Sequence, residues 1–218
     1  MIKKSVMVLM IGLLFSTAKA QFTRLGVFVN PVISWMNSDV SSIQSNGTRT
    51  NIDFGLSIDN YYAPQYAFST GISIINMGGD LLYNNGKILG TSDGSVTLPA
   101  NTDVYYKLQY IHIPFAIKMR TIQMGYISFF AQMGFDPMVN VQALADINAL
   151  NLTNEGVSNE IKPLYLGYHI SAGMEYRIGG TTGVIVGLTY INGFTDITND
   201  GSANITMDCI EIRIGVLF

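Results

Sequence analysis

The sequence predicts an all-β protein, an eight-stranded antiparallel up-and-down transmembrane β-barrel with short periplasmic turns and long extracellular loops. Three observations lead to this fold. Apolar residues alternate with small or polar ones along most of the chain, short and long connections alternate between the strand-like segments, and charged residues make up only 12% of the sequence. Soluble domains carry about 25% charged residues, so this chain has little charge for a solvated surface.

The first residues have the pattern of a secretory signal. Lys3 and Lys4 precede an apolar run at residues 6–15, and the small-x-small site Ala18-Lys19-Ala20 follows. The run is shorter than the roughly 20 residues that a membrane-spanning helix needs. We therefore predict a cleavable signal peptide at residues 1–20 and an outer-membrane β-barrel domain at residues 21–218, with an uncleaved anchor as the alternative.

Eight segments rich in β-branched and aromatic residues follow the predicted signal. They lie at residues 22–34, 51–62, 66–77, 103–119, 125–139, 164–178, 183–192 and 205–218. Only the stretch "NVQALADINAL" between them has a pattern compatible with a short helix.

The connections between these segments alternate in length. Segments two and three, four and five, and six and seven are joined by tight links containing "AP", "RTIQM" and "GGTT". The other four links are longer and polar, at residues 35–50, 78–101, 140–163 and 193–203. An up-and-down barrel would collect all short turns at one end and all long loops at the other, as outer-membrane barrels do.

The two faces of each strand differ in a way that bears on which face meets lipid. In the sixth segment Tyr168, Ile170 and Met174 share one face, and Gly167 and Ser171 share the other. Small residues suit the crowded interior of a narrow barrel. We therefore expect the apolar face outside, against lipid. A soluble barrel with an apolar ligand cavity also alternates and is the alternative.

Aromatic residues gather at the predicted strand ends, which is typical of the girdles at membrane–water interfaces. The loop-end set is Trp35, Tyr105, Tyr106, Tyr165 and Phe194, and the turn-end set is Phe22, Tyr61, Tyr62, Tyr66, Tyr126, Tyr176 and Phe218.

Several charged residues lie at the alternate strand positions that are predicted to face the lumen. A charge in such a confined space is costly unless it is paired, so we predict a structural ion-pair network. Its members are Arg24, Asp59, Lys118, Glu175, Arg177 and Arg213 toward the turn end, with Glu211 nearer the middle. This network would act as a plug, because eight strands enclose a space only wide enough for side chains. A gated or selective pore is the alternative.

No catalytic residue, cofactor or metal site is predicted. His112, His169, Ser171 and Asp136 share the inward parity, but no H-x-x-x-H or G-x-S-x-G spacing joins them. Residues 196–201, "DITNDG", begin like a calcium loop, yet Met207 stands where a bidentate Glu is required. An Asx turn is the better interpretation. Cys209 is the only cysteine and has no disulfide partner.

The run Tyr110-Ile111-His112-Ile113-Pro114 with Lys118, the stretch "SAGMEYRIGG" and a final strand ending in Phe218 resemble the PorT-like outer-membrane β-barrel proteins of Bacteroidetes. The resemblance covers nearly all of the predicted mature chain. It implies an eight-stranded barrel in the outer membrane of a Gram-negative bacterium, inserted by an assembly machinery that reads the final strand and Phe218. It also implies a link to secretion or another envelope system.

The expected function is a structural or binding scaffold with surface-exposed loops and no enzymatic activity. Its partners would be outer-membrane lipid, the assembly machinery and an envelope protein of unknown identity. The net charge of −3 and the pI near 5.2 provide no basic surface for nucleic acid. The alternatives are a narrow pore for small solutes, a soluble periplasmic ligand-binding barrel and a membrane-embedded hydrolase or acyltransferase.

Overall fold

A computed structural model describes residues 22–92, 94–199, 201 and 203–218. The predicted signal peptide at residues 1–20 lies outside the described residues. The described chain forms a 3-10 helix at Asn148–Leu150 and twelve strands. These are β1 (Phe22–Ser38), β2 (Ile43–Ala63), β3 (Tyr66–Tyr83), β4 (Lys87–Thr91), β5 (Gly94–Leu98), β6 (Thr102–His112), β7 (Phe115–Arg120), β8 (Ile127–Ile147), β9 (Leu152–Gly156), β10 (Leu164–Gly179), β11 (Thr182–Gly193) and β12 (Ile205–Leu217).

Antiparallel ladders close the main sheet into a ring. The order β10-β11-β12-β1-β2-β3 continues through β6 and β7 to β8, and β8 pairs back with β10. Strands β6 and β7 occupy one position, since both pair with β3 and with β8. They are separated at Ile113 and Pro114, where the proline has no N–H to donate to the ladder.

The predicted all-β antiparallel barrel is confirmed. The ring has eight strand positions, whereas the described chain has twelve strands, because three short strands lie outside the ring and one position is divided. β4 and β5 form a separate hairpin, and β9 pairs only with the outer end of β8. None of the helical segments among the described residues is long and apolar enough to cross a membrane.

The predicted boundaries were wrong mainly at the loop end. The predicted loop at residues 35–50 is largely strand, because β1 continues to Ser38 and β2 begins at Ile43. The predicted short helix in residues 140–150 forms only as the 3-10 helix Asn148–Leu150, since β8 runs through the rest of that stretch to Ile147. These strand extensions continue beyond the apolar belt of the barrel, where water surrounds them instead of lipid. Their composition is therefore polar and resembles that of a loop.

The outer face of the barrel is apolar, as expected. Ile170 is 55% exposed, Leu188 61% and Phe135 65%, while His169, Ser171 and other residues of the opposite parity are buried. Exposed apolar side chains occur on all eight ring positions. A continuous apolar belt of this kind requires lipid around it, and the mixed face therefore lines the lumen.

The aromatic residues only partly occupy the predicted girdles. Tyr62 stacks on Tyr66 with 6.4 Å between ring centroids, and Tyr126 lies 6.0 Å from Tyr176. At the loop end Trp35 stacks on Tyr190 at 6.4 Å. Three residues assigned to the girdles, namely Tyr61, Tyr106 and Tyr165, are instead buried inside the barrel.

Replacing Ile212 with Arg is expected to lower the free energy of unfolding in lipid by about 2–4 kcal/mol, because a guanidinium would enter hydrocarbon near the barrel midplane. Ile88→Arg is the matched control, since Ile88 is 66% exposed on the β4–β5 hairpin outside the ring. Urea titration in lipid vesicles measures both. Equal losses for the two variants would mean that Ile212 does not face lipid.

Candidate functional site

The lumen is the candidate site, because the inward-facing polar side chains of all ring strands meet there. Opposite strands of a narrow ring are close enough for their side chains to touch. From the turn end to the loop end the lumen contains a charged layer, a layer of histidines and carboxylates, and an apolar layer.

The charged layer is centred on Lys118, which is 0% exposed. Its Nζ lies 2.6 Å from Asp59 Oδ2 and 2.5 Å from Glu175 Oε1. Glu175 Oε2 also accepts from Arg24 Nη1 at 2.5 Å, and Ser69 Oγ donates to Asp59 at 2.6 Å. These five side chains come from β1, β2, β3, β7 and β10, so the ion pairs cross-link the ring through its interior.

Two glycines make room for this layer. A Cβ at Gly173 would lie 2.8 Å from Phe130 Cε1, and one at Gly187 would lie 3.1 Å from Phe130 Cζ. The ring of Phe130 fills the space above them and lies 5.0 Å from Lys118 Nζ, in a cation–π contact. Small inward residues therefore accommodate one large aromatic side chain, which supports the buried ammonium.

The next layer joins two histidines through one carboxylate. Asp136 Oδ1 lies 2.8 Å from both His112 Nε2 and His169 Nδ1. Gln132 Nε2 lies 3.1 Å from His169 Nε2, and Ser73 Oγ lies 3.4 Å from His112 Nδ1. The histidines and Asp136 are thus brought together, although no spacing motif joins them in the sequence. Ser171, the serine considered with them, bonds instead to Thr189 Oγ1 at 2.9 Å.

Glu211 and Asp53 lie beside this layer. Asn30 Nδ2 donates to Glu211 Oε2 at 3.4 Å and to Asp53 Oδ2 at 3.3 Å, so one amide holds both carboxylates. Arg213 Nη1 donates to Gln132 Oε1 at 3.3 Å. Within the described residues, neither Glu211 nor Arg213 forms a salt bridge. Both side chains face the lumen, as the alternation of residues along β12 predicts.

Of the seven residues assigned to the ion-pair network, the structure therefore brings four into direct ionic contact, namely Arg24, Asp59, Lys118 and Glu175. Arg177 is exposed at the turn end, and it donates to Gly180 O and Gln123 Oε1 instead. Arg177 therefore has no ionic contact within the described residues, since it lies at the exposed rim of the turn end, two residues beyond Glu175 on β10.

The space left between these groups is small. A cavity of about 40 Å³ lies among Asn30, Asp53, His112, Asp136 and Glu211. A water molecule occupies about 30 Å³ in the liquid, so this cavity holds about one. Among the described residues, no group of three or more His, Cys, Asp or Glu side chains is arranged to hold a metal ion.

An apolar plug fills the loop end of the lumen, and the sequence analysis missed it. Leu89 and Leu98 of the β4–β5 hairpin pack with Val157, Ile161 and Ile197 of the other loops. Beneath them Tyr165 Oη donates to the carbonyl of Met207, and the hydroxyls of Tyr83 and Tyr106 lie 2.8 Å apart. A signal for the plug was present on β3, where the inward-facing residues change from Ala67, Ser69 and Ser73 to the apolar Ile75, Met77 and Leu81.

Hydrogen bonds and ion pairs hold the loops over this plug. Glu160 Oε1 accepts from Gly90 N at 2.8 Å, which ties the β4–β5 hairpin to the loop before β10. Asp196 Oδ1 accepts from Thr198 N and Ile205 N, and its Oδ2 lies 2.5 Å from Lys162 Nζ. Burial alone would raise the pKa of Asp196, but these donors lower it overall. Residues 196–198 therefore form the expected Asx turn.

A family model described as "Outer membrane protein beta-barrel domain" matches residues 19–199. No curated protein sequence matches the chain. Similar solved structures include Neisserial surface protein A, with 11% identity, a TM-score of 0.48, and 88% of this chain and 95% of that chain covered. Another is Ail of Yersinia pestis, with 10% identity and a TM-score of 0.42, and the match covers 89% of this chain and 98% of Ail. OmpT of Escherichia coli has 7% identity and a TM-score of 0.45, and the match covers 92% of this chain and 97% of OmpT.

Replacing Lys118 with Ala is expected to lower the free energy of unfolding by about 3–5 kcal/mol, because Asp59 and Glu175 would lose their shared buried cation. Lys162→Ala is the matched control. The Lys162 side chain is 39% exposed in its pair with Asp196, and an exposed ion pair contributes about 0–1 kcal/mol.

Urea unfolding in lipid, followed by the gel shift between folded and boiled protein, measures both lysine variants. If Lys118→Ala were no more destabilising than Lys162→Ala, the charged layer would not stabilise the ring.

Proposed function

Because the chain belongs to the family of outer membrane protein β-barrel domains and resides in the outer membrane of Gram-negative bacteria, we propose that it is a closed scaffold that presents its loops for binding outside the cell. One observation carries the proposal. The lumen is blocked at two levels, by the ion pairs of the charged layer and by the apolar plug at the loop end. A blocked lumen suits a structural or binding role better than transport.

The proposed orientation places the turns joining β2 to β3, β7 to β8 and β10 to β11 in the periplasm, with the loop end outside. Outer-membrane barrels have short periplasmic turns and longer extracellular loops. The packed assembly at the loop end, with the β4–β5 hairpin, β9 and residues 194–199, would then be the surface offered to a partner. Its hydrogen bonds and buried apolar residues would keep this surface in one conformation.

A link to secretion or another envelope system extends the proposal through the PorT-like resemblance. Two residues of the resembling motif have definite structural roles in the barrel. Pro114 interrupts the ladder between β6 and β7, and Lys118 is the centre of the charged layer. In this proposal the assembly machinery recognises β12 and Phe218, lipid surrounds the barrel, and an envelope protein binds the loops.

The proposal includes no catalytic activity. Ser73, His112 and Asp136 do follow one another at 3.4 Å and 2.8 Å, which is the order of a nucleophile, a base and an orienting acid. All three side chains are buried, and the adjoining cavity of about 40 Å³ is too small for an ester or peptide substrate. A role in fixing the strands relative to one another accounts for these contacts.

Purified barrels in a planar bilayer are expected to give no unitary conductance steps, because both the charged layer and the apolar plug obstruct the lumen. A porin inserted into the same bilayer provides the positive control, and an unboiled gel band that migrates faster shows that the protein is folded. Discrete openings of the folded wild-type barrel would contradict the closed scaffold and favour a narrow pore.

The proposed orientation can be tested on intact cells with a membrane-impermeant maleimide. Cys209 is buried, so the wild type should give no background signal. Ser41→Cys in the β1–β2 turn is expected to be labelled, and Gln123→Cys in the turn before β8 is the matched control, expected to react only after cell lysis. Both positions are exposed. Labelling of Gln123→Cys alone on intact cells would reverse the orientation.

A further inference from the structure

The turn end of the lumen opens into a cavity with an unusual balance of charge. This cavity, here called the turn-end cup, has a volume of about 330 Å³ and is lined by Arg24, Arg120, Arg177 and Glu175 among others. The chain contains five arginines, and three of them line the cup. Only one carboxylate side chain, Glu175, lines it with them, and that group is already bound to Arg24 and Lys118.

The other two arginines are held by neutral acceptors. Arg120 Nε donates to Pro64 O at 3.1 Å, and its guanidinium lies 4.4 Å from the centre of the Tyr61 ring. Arg177 donates to Gly180 O at 2.8 Å and to Gln123 Oε1 at 3.3 Å. Among the described residues, neither arginine has a carboxylate partner. Their positions are therefore set before any ligand arrives, while their charges remain uncompensated.

Each of these guanidinium groups retains N–H donors, because a guanidinium has five and the bonds above use one or two. Thr23, Ser128 and Thr181 add hydroxyl groups to the lining of the cup. Among its side chains the cup thus has many hydrogen-bond donors and a single carboxylate. Ligands that match it carry negative charge and several acceptor oxygens.

We propose that the turn-end cup binds a phosphate group. A phosphate monoester carries about −1.5 to −2 charges and three acceptor oxygens near neutral pH, which matches two unpaired arginines. Guanidinium forks bind phosphate through paired hydrogen bonds. The cup has space for roughly ten water molecules at about 30 Å³ each, so it accommodates an organic substituent, for which Phe22 and Tyr126 provide an apolar wall.

Two sources supply a phosphate group on the periplasmic side, namely a soluble phosphate monoester and the headgroup of a phospholipid in the inner leaflet, whose phosphodiester carries a single negative charge. The periplasmic position of the cup rests on the orientation proposed above. The binding of phosphate does not depend on that orientation, since it requires only the residues of the cup. A failure to bind phosphate would therefore leave the conductance and labelling results unaffected.

Isothermal titration of the folded barrel in a neutral detergent with glycerol phosphate tests the proposal. Saturable binding at one site is expected, and Arg120→Gln and Arg177→Gln should each weaken it about tenfold or more. Arg49→Gln is the matched control, because Arg49 lies on β2 at the opposite end of the barrel, where its Nε donates to Asn51. This control should bind as the wild type does.

Several outcomes would overturn the proposal. They are the absence of saturable heat from a barrel that is folded by gel shift, equal binding by all variants, or equally tight binding of succinate, which would remove the preference for phosphate. A second arm uses lipid nanodiscs of phosphatidylcholine with and without phosphatidylglycerol. Competition by phosphatidylglycerol identifies a lipid headgroup as the source, and undiminished binding of glycerol phosphate identifies a soluble ester.

Discussion

Closure of the sheet is the constraint on which the rest of this structure depends. In the hydrocarbon of a membrane each backbone N–H and C=O must find its partner within the protein, and a sheet achieves this only when it has no open edge. The pairing of β8 with β10 removes that edge. It also fixes the width of the lumen at about the size of the side chains that point into it.

Within so narrow a lumen, a buried charge is stabilised by side chains that come from other strands of the ring. The ammonium of Lys118 is stabilised in this way by two carboxylates and an aromatic ring, each on a different strand. Asp136 is stabilised by two histidines. The same contacts that compensate for the burial of charge also hold distant strands together, so the polar lumen stabilises the ring as well as filling it.

The two ends of the lumen are closed in different ways, and this asymmetry underlies both proposals. At the loop end the β4–β5 hairpin and neighbouring loops bury Leu89, Leu98 and Ile197 in a dry plug. At the turn end the lumen widens into a cup that contains more arginine than carboxylate. A solute could enter this cup without crossing the barrel, which separates a binding role from a transport role.

The class of fold and the direction of the strand faces followed from the sequence alone, because alternation along a strand depends only on neighbouring residues. The sequence also placed Lys118, Asp59 and Glu175 in the lumen by parity. Which of these groups meet depends on the tertiary structure, since Lys118 lies 59 positions from Asp59 and 57 positions from Glu175 in the sequence. The tertiary structure likewise decided that His112 and His169 share Asp136, that Arg177 stands outside the ion pairs, and that loops form a plug. Register and closure set those distances, and neither is written in the local pattern of residues.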